Sequence, residues 1–300
     1  MTSSLASKVL CVNLKKSCLG TSFVDESLTG TLEVQTGAQP GSVKGSKKIL
    51  GDALKPMRNL LRTAGALVKE NSLPGISDDL RIVTPKALDL IRKELAKIED
   101  EIADEVEILR SQWPQLIEAD KIRLDKAFDL SLYPASDELS QYFTVRLTTC
   151  DLPQGDYFRV EGLTDESMAK LKEDHAKMIA AVRTAAKNDV HKNLVELIGR
   201  IAENLDKPDI GKLHATTFTN LQEYLAKVPD LNITNDPQLE EMRVDALAKL
   251  NFTMQQVKAS ATLKEQAASA AKDILAKFGG GHRKLLLAVE PLTPSAEKAA

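Results

Sequence analysis

The sequence predicts a mainly α-helical protein, with a long antiparallel helical hairpin or bundle of coiled-coil-like character and a small β-sheet from the N-terminus and residues 140–160. Residues 164–206 carry apolar side chains at helical spacing and contain no proline. Residues 84–113 repeat this pattern. Aromatic residues make up only 4% of the chain, which is typical of long helical assemblies. A helix of roughly 60 Å needs another helix to cover its apolar stripe.

Length and charge limit the number of domains and the kinds of partner. The 300 residues predict an N-terminal α+β part over 1–163, a bundle of long helices over 164–278 and a flexible tail over 279–300. The net charge of -3 argues against strong nonspecific attraction to nucleic acid, although it leaves room for a local basic patch.

The cysteines and the hydropathy pattern indicate a cytoplasmic protein. Cys11, Cys18 and Cys150 form no CxxC pair, which argues against a disulfide framework and against a zinc site. No apolar run approaches the ~20 residues that cross a bilayer. Residues 1–19 also lack the continuous apolar core of a signal peptide. We therefore expect no membrane contact.

The first eighty residues predict one strand and one helix. Residues 8–15 alternate as a strand does, and residues 20–45 predict mostly a loop, with a second candidate strand around Leu32 and Val34. A helix is predicted over 46–71 with Asp52 as its N-cap and Pro56 in its first turn. Residues 71–79 are interpreted as a turn region. The apolar stripe of this helix is Leu54, Met57, Leu61, Ala64 and Val68.

The second helix is predicted to begin at Thr84 and Pro85, with the threonine as cap and the proline at the first helical position. Pro114 is expected to bend or end it, and a shorter helical piece follows over 117–132. Residues 142–150 alternate most clearly as a strand, for which 157–160 is a candidate partner. The stripe of the second helix is Leu88, Ile91, Leu95, Ile98, Ile102, Val106, Leu109 and Trp113.

The longest helix is predicted over 164–206, with Thr164 as N-cap and Pro208 as its stop. Its apolar residues recur every 3.6 to 3.7 residues on average (about one helical turn), so we expect nearly straight helices without a tight supercoil. The stripe is Met168, Leu171, His175, Met178, Val182, Ala186, Val190, Leu194, Leu197, Ile201 and Leu205.

Two more helices are predicted after it. One covers 210–228 and is ended by Pro229. The other begins at Asp236 and continues to about Phe278, with an Ala- and Ser-rich later half that is expected to fray or to pack on a partner. A glycine triplet at 279–281 ends it.

A basic segment over 44–62 is the clearest candidate contact surface. The segment GSVKGSKK at 41–48 departs from the phosphate-loop pattern, because its glycines are four apart and no Ser or Thr follows a Gly-Lys pair. The segment could contact phosphates or an acidic partner, or it could be an ordinary solvated helix face and loop. No aromatic residue is interspersed, so base stacking is not indicated. The cations are Lys44, Lys47, Lys48, Lys55, Arg58 and Arg62.

No catalytic, metal or cofactor residue is predicted. His175 and His191 would face opposite sides of one helix and cannot bind one metal together. HExxH and GxSxG motifs are absent from the sequence. Trp113 ends an apolar stripe and is interpreted as a core residue.

The C-terminal tail is a candidate docking peptide, because a glycine hinge precedes cationic and apolar residues. A helix cap followed by a strand that folds back on the protein is an equally good interpretation. The tail residues are His282, Arg283, Lys284, Leu285, Leu286 and Leu287.

An ordered set of short motifs covers about the first 160 residues. They are the strand before Lys15-Lys16, the segment 45–49, Leu54-Lys55-Pro56, the extended 82–85, Trp113-Pro114, and Tyr133-Pro134 before the strand at 143–147. With these the chain resembles a bacterial and phage family of unknown function (domain-of-unknown-function family 3150), which is often encoded beside MoxR- or CobS-like AAA+ ATPases. It departs from the family at 73–76, where a glycine–aromatic pair is usual.

The resemblance implies a phage or mobile-element setting, which would be the cytoplasm of the bacterial host, and a functional link to an AAA+ ATPase. The family has no established catalytic residues, so none is carried over. The preferred hypothesis is a non-enzymatic helical scaffold or adaptor that binds the ATPase or copies of itself. The alternative is a nucleic-acid-associated accessory protein of replication or recombination that uses residues 44–62. An enzyme is the third hypothesis, and no residue can be assigned to it.

Overall fold

The computed structural model describes residues 5–77, 79–152, 163–207 and 216–279. Over these residues the chain forms nine α-helices and six short strands, which confirms the prediction of a mainly helical protein with a small sheet. The predicted strand at 157–160, the start of the predicted helix at 210–215 and the candidate docking tail at 282–287 lie outside the described residues.

The chain divides into two compact units, and each is discontinuous in sequence. The first contains Met1–Cys11, Asn71–Ala87 and Cys150–Ala300. The second contains Val12–Glu70 and Leu88–Thr149.

The small sheet has the strand order β4-β5-β1-β6. Its strands are β1 (Leu10–Ser17), β4 (Leu73–Ser77), β5 (Leu80–Val83) and β6 (Thr144–Asp151). The predicted strands at 8–15 and 142–150 are confirmed, whereas the turn predicted over 71–79 is wrong. That segment forms β4, which pairs antiparallel with β5 with Leu73 opposite Ile82.

The predicted loop over 20–45 also contains a helix, and the strand predicted around Leu32 and Val34 is wrong. A short strand, β2 (Ser22–Val24), pairs antiparallel with β3 (Ser46–Lys48), and α1 (Glu26–Thr36) lies between them. Capping residues fix both ends of this helix. Asp25 accepts a hydrogen bond from the N–H of Leu28, and Gly37 ends the helix with a positive φ of 65°.

The second helix, α2 (Lys55–Glu70), begins later than predicted, because β3 occupies 46–48 and a turn follows it. Asp52 is therefore not its N-cap, although Pro56 does lie in the first turn. The whole predicted stripe is buried, from Leu54 to Val68.

The third helix, α3 (Pro85–Leu124), is also confirmed, and its predicted stripe from Leu88 to Trp113 is buried. Thr84 accepts a hydrogen bond from the N–H of Ala87, as a cap does. The predicted bend or end at Pro114 is wrong, because the helix continues for ten residues beyond it.

Tertiary contacts on both sides of Pro114 hold α3 together. The Nε1 of Trp113 donates to the carbonyl of Pro134, and the Nε of Arg110 donates to the carbonyl of Ser136. Further along, Asp120 is buried in a network of hydrogen bonds. After α3 the chain forms single helical turns and then α4 (Leu139–Tyr142), in place of the separate helix predicted over 117–132.

In the first unit the longest helix is α5 (Asp165–Leu205), capped by Thr164 as predicted. Only part of its predicted stripe is buried, from Val182 to Leu205, and Ile198 takes the place of Leu197. Met168, His175 and Met178 are only half-buried and Leu171 is exposed. The early stripe was predicted to be covered, and the described residues leave it largely open.

The later helices of this unit form a bundle on α5. It consists of α6 (Thr216–Leu231), α7 (Pro237–Lys249), α8 (Met254–Ala259) and α9 (Ala261–Phe278). Both α6 and α9 pack on α5, and α7 packs on α6 and on α9. Pro229 does not end α6, which continues to Leu231.

The single long helix predicted over 236–278 is wrong, since three helices occupy the segment. Thr253 and Gln256 form a capping box that starts α8, and Ser260 accepts a hydrogen bond from the N–H of Leu263 to start α9. The Ala-rich half does not fray, because Ala267, Ala271 and Ile274 are buried. It packs on α5 of its own chain. Gly279 follows its last residue, as predicted.

None of the helices in the described segments is long and apolar enough to cross a membrane.

Candidate functional site

The basic segment is held by a network around a buried carboxylate. Asp120 in α3 is only 4% exposed. Its oxygens accept hydrogen bonds from the backbone N–H of Leu50 at 2.5 Å, from the hydroxyl of Tyr133 at 2.7 Å and from the guanidinium of Arg123 at 2.6 Å. Leu50 has a φ of 61°, so this network stabilises a left-handed turn just before α2.

Hydrogen bonds also set the ionisation of this cluster. Burial alone would raise the pKa of Asp120, but the hydrogen bonds from Leu50, Arg123 and Tyr133 outweigh it and lower that pKa. Burial, followed by the hydrogen bond to Asp120, raises the pKa of Tyr133. Asp120 is therefore charged and Tyr133 is neutral at neutral pH.

Lys47 is a predicted cation that forms both an ion pair and a hydrogen bond within the protein. Its ammonium lies 3.2 Å from the carboxylate of Asp25 and donates to the carbonyl of Ala127 at 2.9 Å. The pKa of Asp25 is lowered, first by the hydrogen bond from Leu28 and next by Lys47. Lys47 therefore fixes the start of α1 and leaves the candidate contact surface.

The remaining cations include a row on one side of α2. At 100° per residue, Lys55, Arg58, Arg62 and Lys69 fall within about 60° of one another on the helix wheel. All four are exposed, and the row is about 21 Å long at 1.5 Å per residue. We call these four residues the cationic face of α2. The only acidic residue of the helix is Glu70, at its C-terminal end.

Lys16 of β1 joins the same face. A Cβ atom placed on Gly65 of α2 would lie 2.6 Å from the Nζ of Lys16, so the ammonium rests directly against the helix. Only a glycine permits this approach without a shift of the lysine. Among the described residues, no ion pair involves Lys16, Lys55 or Arg62.

Lys48 lies near the N-terminal end of the cationic face, while Lys44 is exposed in the loop before β3. Arg58 donates a hydrogen bond to the hydroxyl of Thr21. Thr21 immediately precedes Ser22, which is the register partner of Lys48. The exposed Lys48 and Arg58 are therefore brought to the same end of the small β2–β3 sheet.

Sequence reasoning found part of this surface. It included Lys55, Arg58 and Arg62, and it missed Lys69 because the basic segment was taken to stop at Arg62. Lys69 is seven residues, or about two helical turns, beyond Arg62. The helical repeat of the sequence could therefore have placed Lys69 on the same side of the helix as Arg62. Lys16 is distant in sequence, and only the fold brings it to α2.

The histidines of α5 do not form a site together. His191 lies within 3.0 Å of the carbonyl of Phe278 through its Nε2, which joins α5 to the end of α9. His175 is half-buried sixteen positions away. In the part of the chain that the structure describes, no group of three His, Cys, Asp or Glu side chains could hold a metal ion.

Comparisons with family models, with curated proteins and with solved structures give no match to this chain. The resemblance to the phage family of unknown function therefore stays a prediction.

Proposed function

We propose that this protein is a non-enzymatic binding protein that holds nucleic acid by its phosphate backbone on the cationic face of α2. The observation that supports this proposal is the row of Lys55, Arg58, Arg62 and Lys69 on one exposed side of a helix, joined by Lys16. No acid of α2 interrupts the row.

The character of this face favours phosphates over a protein surface. Specific protein interfaces have a core of apolar and aromatic residues surrounded by polar ones. The exposed side of α2 carries cations, Asn59, Thr63 and Ala66, and the helix contains no aromatic residue. Phosphate contacts need only well-placed cations and provide most of the affinity of nonspecific nucleic-acid binding. We therefore expect binding without base specificity.

Fluorescence anisotropy with a labelled DNA duplex tests the proposal over a series of salt concentrations. Binding should weaken steeply as salt rises. The double variant Lys55→Glu/Arg62→Glu should bind at least about 10-fold more weakly and should lower the slope of log K against log salt by about 2. Neither side chain forms an ion pair with any residue that the structure describes, so the fold should be preserved.

The matched control is Lys170→Glu/Lys172→Glu on α5, which changes the net charge equally. Both lysines are exposed. The control should bind like the wild type. Equal loss in both variants would mean that net charge alone causes the effect, and no binding at low salt would refute the proposal.

A second candidate function is a scaffold or adaptor for a protein, for which an AAA+ ATPase is the partner that the family resemblance suggests. One observation favours it. No residue of α1 is buried, although the helix contains several apolar side chains. Of these, Leu28, Leu32 and Val34 are at least 37% exposed. A helix with several exposed apolar side chains is typical of a surface that another protein covers.

Sedimentation of the protein with the purified ATPase tests this second function. The variant Leu32→Glu/Val34→Glu should abolish a complex that the wild type forms. Val244→Glu, at an exposed apolar position of α7, is the control and should leave the complex unchanged. Separate sedimentation of the two wild-type proteins would exclude this partner.

A further inference from the structure

Two cysteines far apart in sequence lie opposite each other in the sheet. The hydroxyls of Ser17 in β1 and Thr144 in β6 are 2.7 Å apart. The hydroxyl of Thr148 donates to the carbonyl of Asn13. From one of these contacts to the other, the residue number in β1 falls while the residue number in β6 rises, so the two strands are antiparallel. Cys11 lies two residues before Asn13 and Cys150 lies two residues after Thr148, so the same register places the two cysteines opposite each other.

The two thiols lie on the same face of the sheet. Side chains of directly opposed residues lie on the same face of an antiparallel pair, with Cβ atoms about 4.5–5.5 Å apart. The nearby Cys150 also contributes to the raised pKa of Cys11, which agrees with this register. A disulfide needs Cβ atoms about 3.5–4.5 Å apart, so a small approach of the edge strand is enough to form one.

The two cysteines differ in access to solvent. Cys11 is completely buried, whereas Cys150 is exposed on β6, at the end of the strand order. Burial is the main reason that the pKa of Cys11 is raised to about 11, and the neighbouring Cys150 and Asp151 raise it further. Cys11 is therefore a protonated thiol at neutral pH, and an oxidant in solution reaches Cys150 first.

We propose that Cys11 and Cys150 are a redox pair that forms a reversible intramolecular disulfide in response to a peroxide. The sulfur of Cys150 attacks one peroxide oxygen and breaks the O–O bond, and the thiol proton passes to the leaving oxygen, which gives a sulfenic acid and releases water or an alcohol. The sulfur of Cys11 then attacks the sulfenic sulfur, and the S–O bond breaks with loss of water. The two sulfurs together lose two electrons, and the peroxide is reduced.

The bond would join an edge strand to its neighbour and close a loop from Cys11 to Cys150. Cross-links that close long loops restrict the unfolded chain and raise stability. Oxidation should therefore raise the melting temperature. This property is independent of the cationic face and of the nucleic acid proposed for it.

A thiol count tests the proposal. The chain contains three cysteines, and all three are free. After treatment with an equimolar amount of hydrogen peroxide and denaturation, a thiol reagent should modify only Cys18. Dithiothreitol should then restore the reactivity of Cys11 and Cys150. Peptide mapping without reduction should find Cys11 and Cys150 joined.

Two variants provide the controls. In Cys18→Ser the peroxide should remove all reactive thiols. On a denaturing non-reducing gel, the treated variant should run at the mass of a single chain. In Cys150→Ser both remaining cysteines should stay reactive, and the rise in melting temperature should vanish. Disulfide-linked dimers through Cys18, or oxidation of Cys150 to sulfinic acid while Cys11 stays free, would overturn the proposal.

Discussion

The carboxylate of Asp120 accepts a hydrogen bond of 2.5 Å from the backbone N–H of Leu50, although 70 residues separate the two in sequence. Because Leu50 stands in the left-handed turn before α2, this contact connects a buried acid of α3 to the start of the cationic helix. The same carboxylate binds Tyr133 and Arg123, so one side chain holds three segments.

Removal of this carboxylate should destabilise the protein strongly. Asp120→Ala leaves the N–H of Leu50 and the hydroxyl of Tyr133 without their acceptor in a buried site, and we expect a loss of about 3 kcal/mol. Urea denaturation followed by circular dichroism measures it. Asp137→Ala, at an exposed position, is the control and should change the free energy of unfolding by less than about 0.5 kcal/mol.

The contribution of Asp120 should also depend on pH. Its pKa is below the ordinary value of 3.8 in the folded protein, so the unfolded chain binds the proton first as the pH falls. The stabilisation is complete well above pH 3.8 and is lost as the pH falls from there towards the folded pKa. The difference in unfolding free energy between wild type and Asp120→Asn should therefore shrink between about pH 6 and about pH 3. A constant difference would contradict the assignment.

Two glycines should respond oppositely to alanine. In β4 a Cβ on Gly75 would lie 2.0 Å from the carbonyl oxygen of Leu80, so Gly75→Ala must separate the strands and should cost about 2 kcal/mol or more. In α5 a Cβ on Gly199 meets nothing within 4 Å. Gly199→Ala should stabilise the protein by about 0.5–1 kcal/mol, because alanine favours helix. Thermal unfolding of both variants checks the signs.

The capping box of α8 should be measurable in the same way. Thr253→Ala removes the acceptor for the N–H of Gln256 and should lower the free energy of unfolding by about 1 kcal/mol. Thr219→Ala, at an exposed position inside α6, is the matched control. Equal effects of the two variants would show that the cap contributes nothing at this helix start.

The two parts of α5 should differ in hydrogen exchange. Residues 165–178 contain no buried side chain, whereas eight buried residues lie between Val182 and Leu205. Protection rests on burial, so amides of 165–178 should exchange markedly faster than those of 182–205. Hydrogen–deuterium exchange with mass spectrometry resolves the two stretches, and uniform protection would imply that something covers the early stripe.

Prolines and loops show why local reasoning fails at particular residues. Pro114 and Pro229 both predict helix ends, yet α3 and α6 continue past them, because packing outweighs one lost hydrogen bond. The helix α1 was missed because Gly30 and several threonines lower its propensity, while the cap at Asp25 and the αL glycine at Gly37 stabilise it. Such caps were readable in the sequence, but they compete with equally good turn signals.

The cationic face of α2 also combines contacts that the sequence predicts with contacts that it does not predict. The helical repeat of α2 predicts that Lys55, Arg58 and Arg62 share one side, since that depends only on the spacing of neighbours along one helix. The ion pair between Lys47 and Asp25, and the approach of Lys16 to Gly65, join residues from different elements. The periodic pattern of the sequence does not predict contacts of this kind.

By itself the amino-acid sequence determined the long helices α3 and α5, the buried stripes of α2 and α3, and the neighbouring strands β1 and β6. Each depends on the periodic burial of side chains within one continuous segment. Only the tertiary structure decided which stripe residues of α5 are covered, where 236–278 breaks into three helices, and that Cys11 faces Cys150. Those outcomes depend on which distant segments meet, and packing energy between them exceeds the small local preferences of the chain.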